Sequence, residues 1–506
     1  MEHNCIKTNI YYNEKVCENS AEIPIDIEFS LPDYCPDISK ILKCRAISRI
    51  SSKNINGNAV TVDGTITVNL LYSNDESFIF AYEYQYPFNK SFNFEGEINE
   101  CNICCKTKCE YINCRAVSGR KIEIHGAASL MCNVLRKNKT EVISDIDNKG
   151  IEINQLFLPA TLPVGINDKY LLIEEEIEIG NGQPPIRNIL RYDSKCSISE
   201  VKIINDKVVV KGEIFLPILY CSDTDSSLQS LKSRIPFSQI IEMPGINDEC
   251  RCNTKAEIAF IELKLRNTPS GEATSILANI KVLISCEAIC ENDIAVISDA
   301  YSKKNRLNLS KKDIDINKIV ANISETCNLK YDTELTDEIK NIIDLWCDIR
   351  EVHTKVTDNK ICIFGDLVVG VIYLNNQDIP MFCERIFDFS YEENINQNSC
   401  KCDPQIEVVS IGYFLTGAAN VEIKIDIKIN AAVYECCSVP LIVDYKIEEK
   451  KVSENNCAML IYYPSAGENI WEIAKQFNSG KEEIKRINSI SEDVIRDTKM
   501  LLIPIC

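Results

Sequence analysis

The chain repeats itself three times, and this repeat constrains its fold more than any other feature of the sequence. One block reads VTVDGTITVNLLY at residues 60–72, VVVKGEIFLPILY at 208–220 and ICIFGDLVVGVIY at 361–373, and each copy has a glycine and a tyrosine eight residues apart. A second block reads ISKIL, IRNIL or IKNII and starts 26 residues before each of these glycines. Two blocks that keep their spacing without a gap predict three related units of about 150 residues.

The residue patterns inside the units predict mainly antiparallel β-structure. The block that ends in tyrosine is rich in Val and Ile, and its glycine indicates a bulge or a close approach of another backbone segment. The run VEIKIDIKI from Val421 alternates apolar and polar residues, which is typical of a strand with one solvated face. Ile38, Ile41 and Leu42 follow the i, i+3, i+4 spacing of a helix face, so each unit is predicted to have a short helix near its start.

The final residues depart from the repeat. From Met459 the order of patterns is strand, helix, helix, strand, and Ile470, Ile473 and Ala474 share one helical face. We therefore predict three β-rich domains at residues 1–150, 151–305 and 306–450, followed by a separate βααβ module at 457–506.

The charge balance and the absence of known motifs argue against several classes of function. With 55 basic and 75 acidic residues, the net charge is −20, which is unsuited to a general binder of nucleic acid or anionic membrane. Residues 1–20 lack the pattern of an export signal, and no apolar run approaches the ~20 residues of a membrane span. The three histidines and the lack of nucleophile-elbow, zincin or phosphate-loop motifs predict a cytoplasmic protein that is not an enzyme and needs no cofactor.

Most of the 26 cysteines are predicted to be reduced, small buried side chains of a cytoplasmic protein. Cys101, Cys250 and Cys400 occupy equivalent points of the three units. The first unit adds a CxxC, but no second CxxC follows at the spacing of a zinc ribbon. A metal site formed by Cys101, Cys104, Cys105 and Cys109 is the weaker alternative.

The C-terminal module resembles a LysM domain. The family pattern is met by Tyr463, Gly467, Glu468, Ile470, Trp471, Ile473, Ala474, Asn488, Leu501, Ile503 and Pro504. Asn469 stands where the family usually has Ser or Thr and can still cap the helix, while Asp497 and Thr498 replace the usual glycine-containing turn. Trp471 is either a core anchor or a ligand contact.

The repeat units resemble SPOCS domains, most clearly through Leu31, Pro32, Pro36, Asp37, Ile38, Lys40, Ile41 and Leu42 of the first unit. Repeated SPOCS domains followed by a LysM domain are similar in architecture to clostridial spore-coat morphogenetic proteins. The resemblance implies a scaffold in the mother-cell cytoplasm, at the forespore surface, that helps the coat encase the forespore. It also implies binding to the coat ATPase SpoIVA, largely through the LysM domain, and contacts with other coat proteins.

The LysM resemblance places the candidate binding site in a groove between two loops, 467–470 and 488–497. The residues of this groove are Gly467, Glu468, Asn469, Ile470, Trp471, Asn488, Ser489, Ile490 and Asp497. A protein partner is the leading prediction. The alternative is a peptidoglycan-binding protein of the spore cortex or cell wall, because LysM domains bind N-acetylglucosamine polymers.

Overall fold

The computed structural model describes residues 5–76, 78–94, 101–148, 150–180, 182–395, 400–451, 458–496 and 500–505. The chain is mainly β, as predicted. Asp497 of the predicted groove lies outside the described residues.

Each repeat unit is built from two antiparallel sheets that face each other. The strands of unit one are β1 (Cys5–Ser30), β2 (Lys40–Asn56), β3 (Ala59–Ser73), β4 (Ile79–Asn93), β5 (Cys101–Ala116) and β6 (Lys121–Ile146). One sheet has the order β1-β6-β5 and the other β2-β3-β4, so β2 and β5 are edge strands.

Units two and three repeat this topology with one strand split in each. Unit two has β7 (Ile151–Glu178), β8 (Ile186–Tyr192), β9 (Lys195–Ile204), β10 (Lys207–Ser222), β11 (Leu228–Glu242), β12 (Cys250–Asn267) and β13 (Ala273–Ser302). Unit three has β14 (Asn305–Glu334), β15 (Ile339–Thr357), β16 (Lys360–Asn375), β17 (Pro380–Asn394), β18 (Cys400–Cys402), β19 (Gln405–Leu415) and β20 (Asn420–Lys451). The second strand is divided into β8 and β9, and the fifth into β18 and β19.

The predicted short helix of each unit is wrong, because the block concerned opens a strand. Ile41 pairs with Tyr72 and Lys43 with Leu71, so Leu42 is the extra residue of a β-bulge. Ile38 and Ile41 pack in the core of their own unit, whereas Leu42 packs against the other units. This change of side at the bulge gives the apolar residues the spacing of a helix face. Among the described residues, α-helix occurs only in the C-terminal module.

The close approach predicted at the repeated glycine is confirmed. A Cβ on Gly365 would lie 1.9 Å from the carbonyl oxygen of Glu351 and 3.1 Å from the ring of Phe389. The same two kinds of neighbour, a backbone carbonyl and a phenylalanine ring, crowd Gly64 and Gly212. The glycine therefore lets the bulged second strand and the fourth-strand phenylalanine close over the third strand.

Replacement of this glycine is expected to destabilise unit three strongly. The Gly365→Ala substitution forces the backbone of Glu351 to move, which costs about 3 kcal/mol by analogy with overpacked cores. Gly412→Ala is the matched control, because nothing lies within 4 Å of its Cβ position. Thermal unfolding followed by circular dichroism measures both, and equal midpoints for the two variants would contradict the assignment.

The three units pack around an approximate threefold axis. The residue before each repeated tyrosine, namely Leu71, Leu219 or Ile372, joins one apolar cluster shared by all three units. The long first and sixth strands form a second shared cluster that contains Ile10, Val142, Val296, Ile314, Ile316 and Leu441. Contacts between equivalent residues explain why apolar side chains recur at these positions on faces that a single unit would leave exposed.

Candidate functional site

The C-terminal module has the predicted order of elements. It contains β21 (Met459–Tyr462), α1 (Ile470–Gln476), α2 (Lys481–Asn488) and β22 (Leu501–Pro504), and the two strands pair antiparallel. Its core contains Ile470, Ile473, Ala474, Ile484 and Ile503. Tyr301 of unit two belongs to the same apolar cluster.

The structure brings the two predicted groove loops into direct contact. Backbone hydrogen bonds run from Gly467 N to the Ile495 oxygen (2.8 Å), from Ile495 N to the Glu468 oxygen (2.9 Å) and from Ile470 N to the Asp493 oxygen (2.8 Å). Gly467 has a φ of +96°, a conformation that favours glycine. The loops therefore form one fixed surface.

Asn469 and Asn488 have structural tasks within this surface. The Asn469 side chain caps α1 by accepting a hydrogen bond from Trp471 N at 2.8 Å, as predicted. The Asn488 amide donates to the carbonyls of Ile484 and Leu502 and accepts from Leu502 N, which ties α2 to β22. Since both side chains are committed internally, neighbouring exposed atoms are better placed to meet a partner.

The predicted groove residues differ in exposure. Gly467, Asn469 and Ser489 are exposed, Glu468, Asn488 and Ile490 are half-buried, and Ile470 and Trp471 are buried. Two apolar side chains beside the loops, Tyr463 at 70% and Val494 at 47%, are largely exposed. The exposed part of the two loops is therefore mainly polar, with two exposed apolar side chains beside it.

Trp471 packs against unit two. It is 4% exposed, and its ring meets that of Tyr301 edge-on with centroids 5.1 Å apart. Its indole Nε1 donates to Asp299 at 3.1 Å, and the Tyr301 hydroxyl donates to the Ser479 carbonyl. Residues at the end of β13 thus complete the core of the module and fix it to the repeat array.

Asp299 makes polar contacts with both the C-terminal module and unit three. Burial alone would raise the pKa of its carboxyl, but hydrogen bonds from Lys475, Trp471 and Lys311 outweigh burial and hold the pKa below its usual value. Asp299 is therefore a charged anchor that joins the module to units two and three. Its role in docking cannot be read from the sequence, because its partner Trp471 is 172 residues away.

The cysteines of the alternative metal site lie along β5. Cys101, Cys104, Cys105 and Cys109 are spread over this one strand. In the described part of the chain, no three His, Cys, Asp or Glu side chains form a group that could hold a metal ion.

Sequence reasoning missed a cavity of about 1690 Å³ between the units. Strands β2, β9 and β15 line it together with the edge strands β5, β12 and β19. Near one end Arg45 of unit one binds Asp348 of unit three at 3.0 Å, and Arg191 of unit two binds Asp344 of unit three. Asp193, which is 8% exposed, lies 3.7 Å from Arg45 and 3.9 Å from Arg191 and so connects the two pairs.

Arg49 lies beside this ionic network. It makes no ion pair with a described carboxylate, and its guanidinium lies 3.5 Å from the Ser194 hydroxyl oxygen. Burial lowers the pKa of Arg49, although the neighbouring Tyr192 and Asp193 oppose this. The network therefore contains a guanidinium that depends on the charge of Asp193 nearby.

The family model described as SipL, SPOCS domain matches the chain at residues 37–117, 185–266 and 338–413. Each match runs from the turn before the second strand of a unit to the fifth strand. No curated protein and no solved structure matches the chain significantly. None of the helices in the described part of the chain is long and apolar enough to cross a membrane. The three matches together cover less than half of the chain. They show three segments similar to the SipL SPOCS domain, which is consistent with a SipL-like, sporulation-related protein.

Proposed function

We propose that this chain, which carries three SPOCS domains, is a non-enzymatic scaffold of spore-coat morphogenesis. It acts in the mother-cell cytoplasm, at the forespore surface. Its C-terminal module holds a SpoIVA-type coat ATPase, while the repeat units offer surfaces to other coat proteins. In this way it helps the coat encase the forespore.

The observation that carries this proposal is the orientation of the C-terminal module. Its tryptophan side is fixed to unit two through Asp299 and Tyr301, and its loop surface stays exposed. Backbone hydrogen bonds hold that surface in one conformation, so little conformational entropy is lost when a partner docks. A rigid surface displayed by a large array is suited to recruit one protein to another.

The exposed Val494 side chain is expected to be part of the partner contact. In full-length protein, Val494→Asp keeps the backbone bonds of the loop but places a charge in the apolar flank of the groove. Loss of a central contact costs about 2 kcal/mol, or roughly thirtyfold in affinity. Capture of the coat ATPase from sporulating cells measures this.

The matched control is Leu172→Asp, which changes an apolar residue that is 77% exposed on unit two. It is expected to capture the ATPase like the unmodified chain. If the Val494 variant captures as much as the Leu172 variant, the site does not lie on these loops.

Peptidoglycan binding is the second candidate, and the exposure of Tyr463 favours it. Sugar rings stack on accessible aromatic faces, and Tyr463 offers one, whereas Trp471 is buried and its indole N–H is already bonded. Pelleting of full-length protein with purified peptidoglycan tests this reading. Retention that falls with Tyr463→Ala would favour the glycan over the protein partner.

A further inference from the structure

Pairs of cysteines face each other between the fifth and sixth strands of units one and two. In unit one Cys105 of β5 stands directly opposite Cys132 of β6, and their sulfur atoms are 3.5 Å apart. Cys132 is fully buried and Cys105 is half-buried at the cavity wall. The register alone therefore brings the two thiols together.

Unit two holds a similar pair with one partner displaced. Cys286 of β13 occupies the position that Cys132 has in unit one, and Thr254 stands opposite it. The second thiol is on Cys252, two residues before Thr254, and the Thr254 hydroxyl lies 3.5 Å from both sulfur atoms. The sixth-strand cysteine thus keeps a thiol neighbour although the residue opposite it has changed.

Unit three lacks such a pair and provides an internal comparison. Cys402 corresponds to Cys252 as the second cysteine of a CxC sequence. The position equivalent to Cys286 is Ala431, because Cys400 pairs with Glu435 as Cys250 pairs with Cys290. Cys402 faces Val433 instead of a thiol.

We propose that Cys105 with Cys132, and Cys252 with Cys286, are two dithiol sites that glutathione disulfide oxidises to cross-strand disulfides. The thiolate of one cysteine attacks a sulfur of glutathione disulfide, whose S–S bond breaks and releases one glutathione. The second cysteine loses its proton to solvent and attacks the mixed disulfide, which releases the second glutathione. Two protein thiols are oxidised by two electrons, and one glutathione disulfide is reduced to two glutathione molecules.

Two further observations support this assignment. A hydrogen bond from Cys286 lowers the pKa of Cys252 to about 7, so one member of the pair is a ready nucleophile while its partner keeps its proton. Cys250 and Cys290, on the same two strands, are joined by a disulfide in this structure. The strand pair therefore accommodates a bond between its two members.

The cross-links would fix the exposed edges of the sandwiches. β5 and β12 are edge strands that line the cavity between the units, and within its sheet each pairs with the sixth strand alone. A covalent bond to β6 or β13 prevents the edge from opening. Such a device suits a protein that is assembled under reducing conditions and later meets oxidising ones.

The test uses full-length protein that is first reduced and then equilibrated with mixtures of reduced and oxidised glutathione. Free thiols are alkylated, and peptides from a non-reducing digest are identified by mass spectrometry. Peptides that link Cys105 to Cys132 and Cys252 to Cys286, each lighter by two hydrogens, are expected. Both members of a pair should lose alkylation together, while Cys402 stays alkylated or carries glutathione.

Two variants make the outcome decisive. Cys286→Ala introduces the residue that unit three has at this position, and it should leave Cys252 at the glutathione adduct with no cross-link. Cys347→Ser changes a buried cysteine whose sulfur lies 3.9 Å from the Asp348 carbonyl oxygen and has no described thiol as hydrogen-bond partner, and it should leave both cross-links intact. The proposal is overturned if both pairs remain fully alkylated at a glutathione ratio that keeps Cys250 and Cys290 linked, or if Cys252 of the unmodified chain carries only glutathione and is not linked to Cys286.

Discussion

The Asp193→Asn substitution is expected to loosen the contact between all three repeat units. Asn is nearly isosteric and can still accept the hydrogen bond from Ser194 N, so the change removes charge and little else. Asp193 is buried between Arg45 and Arg191, and Lys195 lies near enough to favour its ionised form. Because Arg45 and Arg191 keep their nearer partners Asp348 and Asp344, loss of the shared carboxylate is expected to cost about 1–3 kcal/mol.

Hydrogen exchange monitored by mass spectrometry is the suitable measurement, because a chain of several units does not unfold in one step. Faster exchange is expected in β2, β8 and β15 together, since each contributes a charged residue to the network. Asp223→Asn changes an exposed carboxylate in a turn of unit two and should leave exchange unaltered. Faster exchange confined to β8 would show that Asp193 serves its own unit only.

A second substitution should partly reverse the effect of the first. Arg49 has no described carboxylate as an ion-pair partner, and burial already lowers its pKa. Once Asp193 is neutral, Arg49→Met removes a buried cation that has lost one of the few neighbours favouring its charge, with Tyr192 and Glu83 remaining. The double variant should therefore exchange more slowly than Asp193→Asn alone, a non-additivity that a purely local role for Asp193 would not produce.

The sequence predicted the architecture of the units because their buried positions recur at fixed spacing. Gly365 recurs in every unit because the facing backbone leaves no room for a side chain there. Tyr373 recurs because it is buried near the end of the same strand. The same reasoning failed at Ile41 and Leu42, where two adjacent apolar residues serve different cores on either side of a bulge. Short apolar runs do not distinguish a helix from a bulged strand, so only the tertiary packing decides between them.

The sequence predicted the candidate site only where the contacts join residues that are close together in the chain. The capping of α1 by Asn469 depends on a residue two positions away and follows from the sequence. The burial of Trp471 depends on Asp299 and Tyr301, which lie far away along the chain, so no local spacing joins them to the tryptophan. The ionic network at the axis was unpredictable for the same reason, since Arg45 and Asp348 come from different units.

Asp299→Asn is expected to release the C-terminal module from the repeat array. The amide keeps the size of the carboxyl, but it loses the charge that Lys475 and Lys311 share and weakens the bond from Trp471 Nε1. Charge-assisted hydrogen bonds contribute about 1.5–3 kcal/mol each, so a loss of roughly 3 kcal/mol in docking free energy is expected. Hydrogen exchange should rise in α1 and at the end of β13, while exchange in unit one stays constant.

Asp493→Asn is the matched control within the module. Asp493 pairs with Lys481 and Lys485 on α2 and makes no described contact with the repeat units, so its loss should leave α1 docked. Faster exchange of α1 in both variants would mean that the module, and not its docking, had been weakened.

The pH dependence of docking follows from the lowered pKa of Asp299. A carboxyl whose pKa is lower in the docked state stabilises that state above the pKa of free Asp, near 3.9, and loses the contribution as the pH falls through the docked value. Docking should therefore hold at pH 5 and weaken only as the pH falls below about 3.9 in the unmodified chain. In Asp299→Asn this step should be absent, because no proton is taken up at this position. If the variant loses docking over the same pH range, another carboxyl causes the loss, and Asp299 is not the charged anchor of the module.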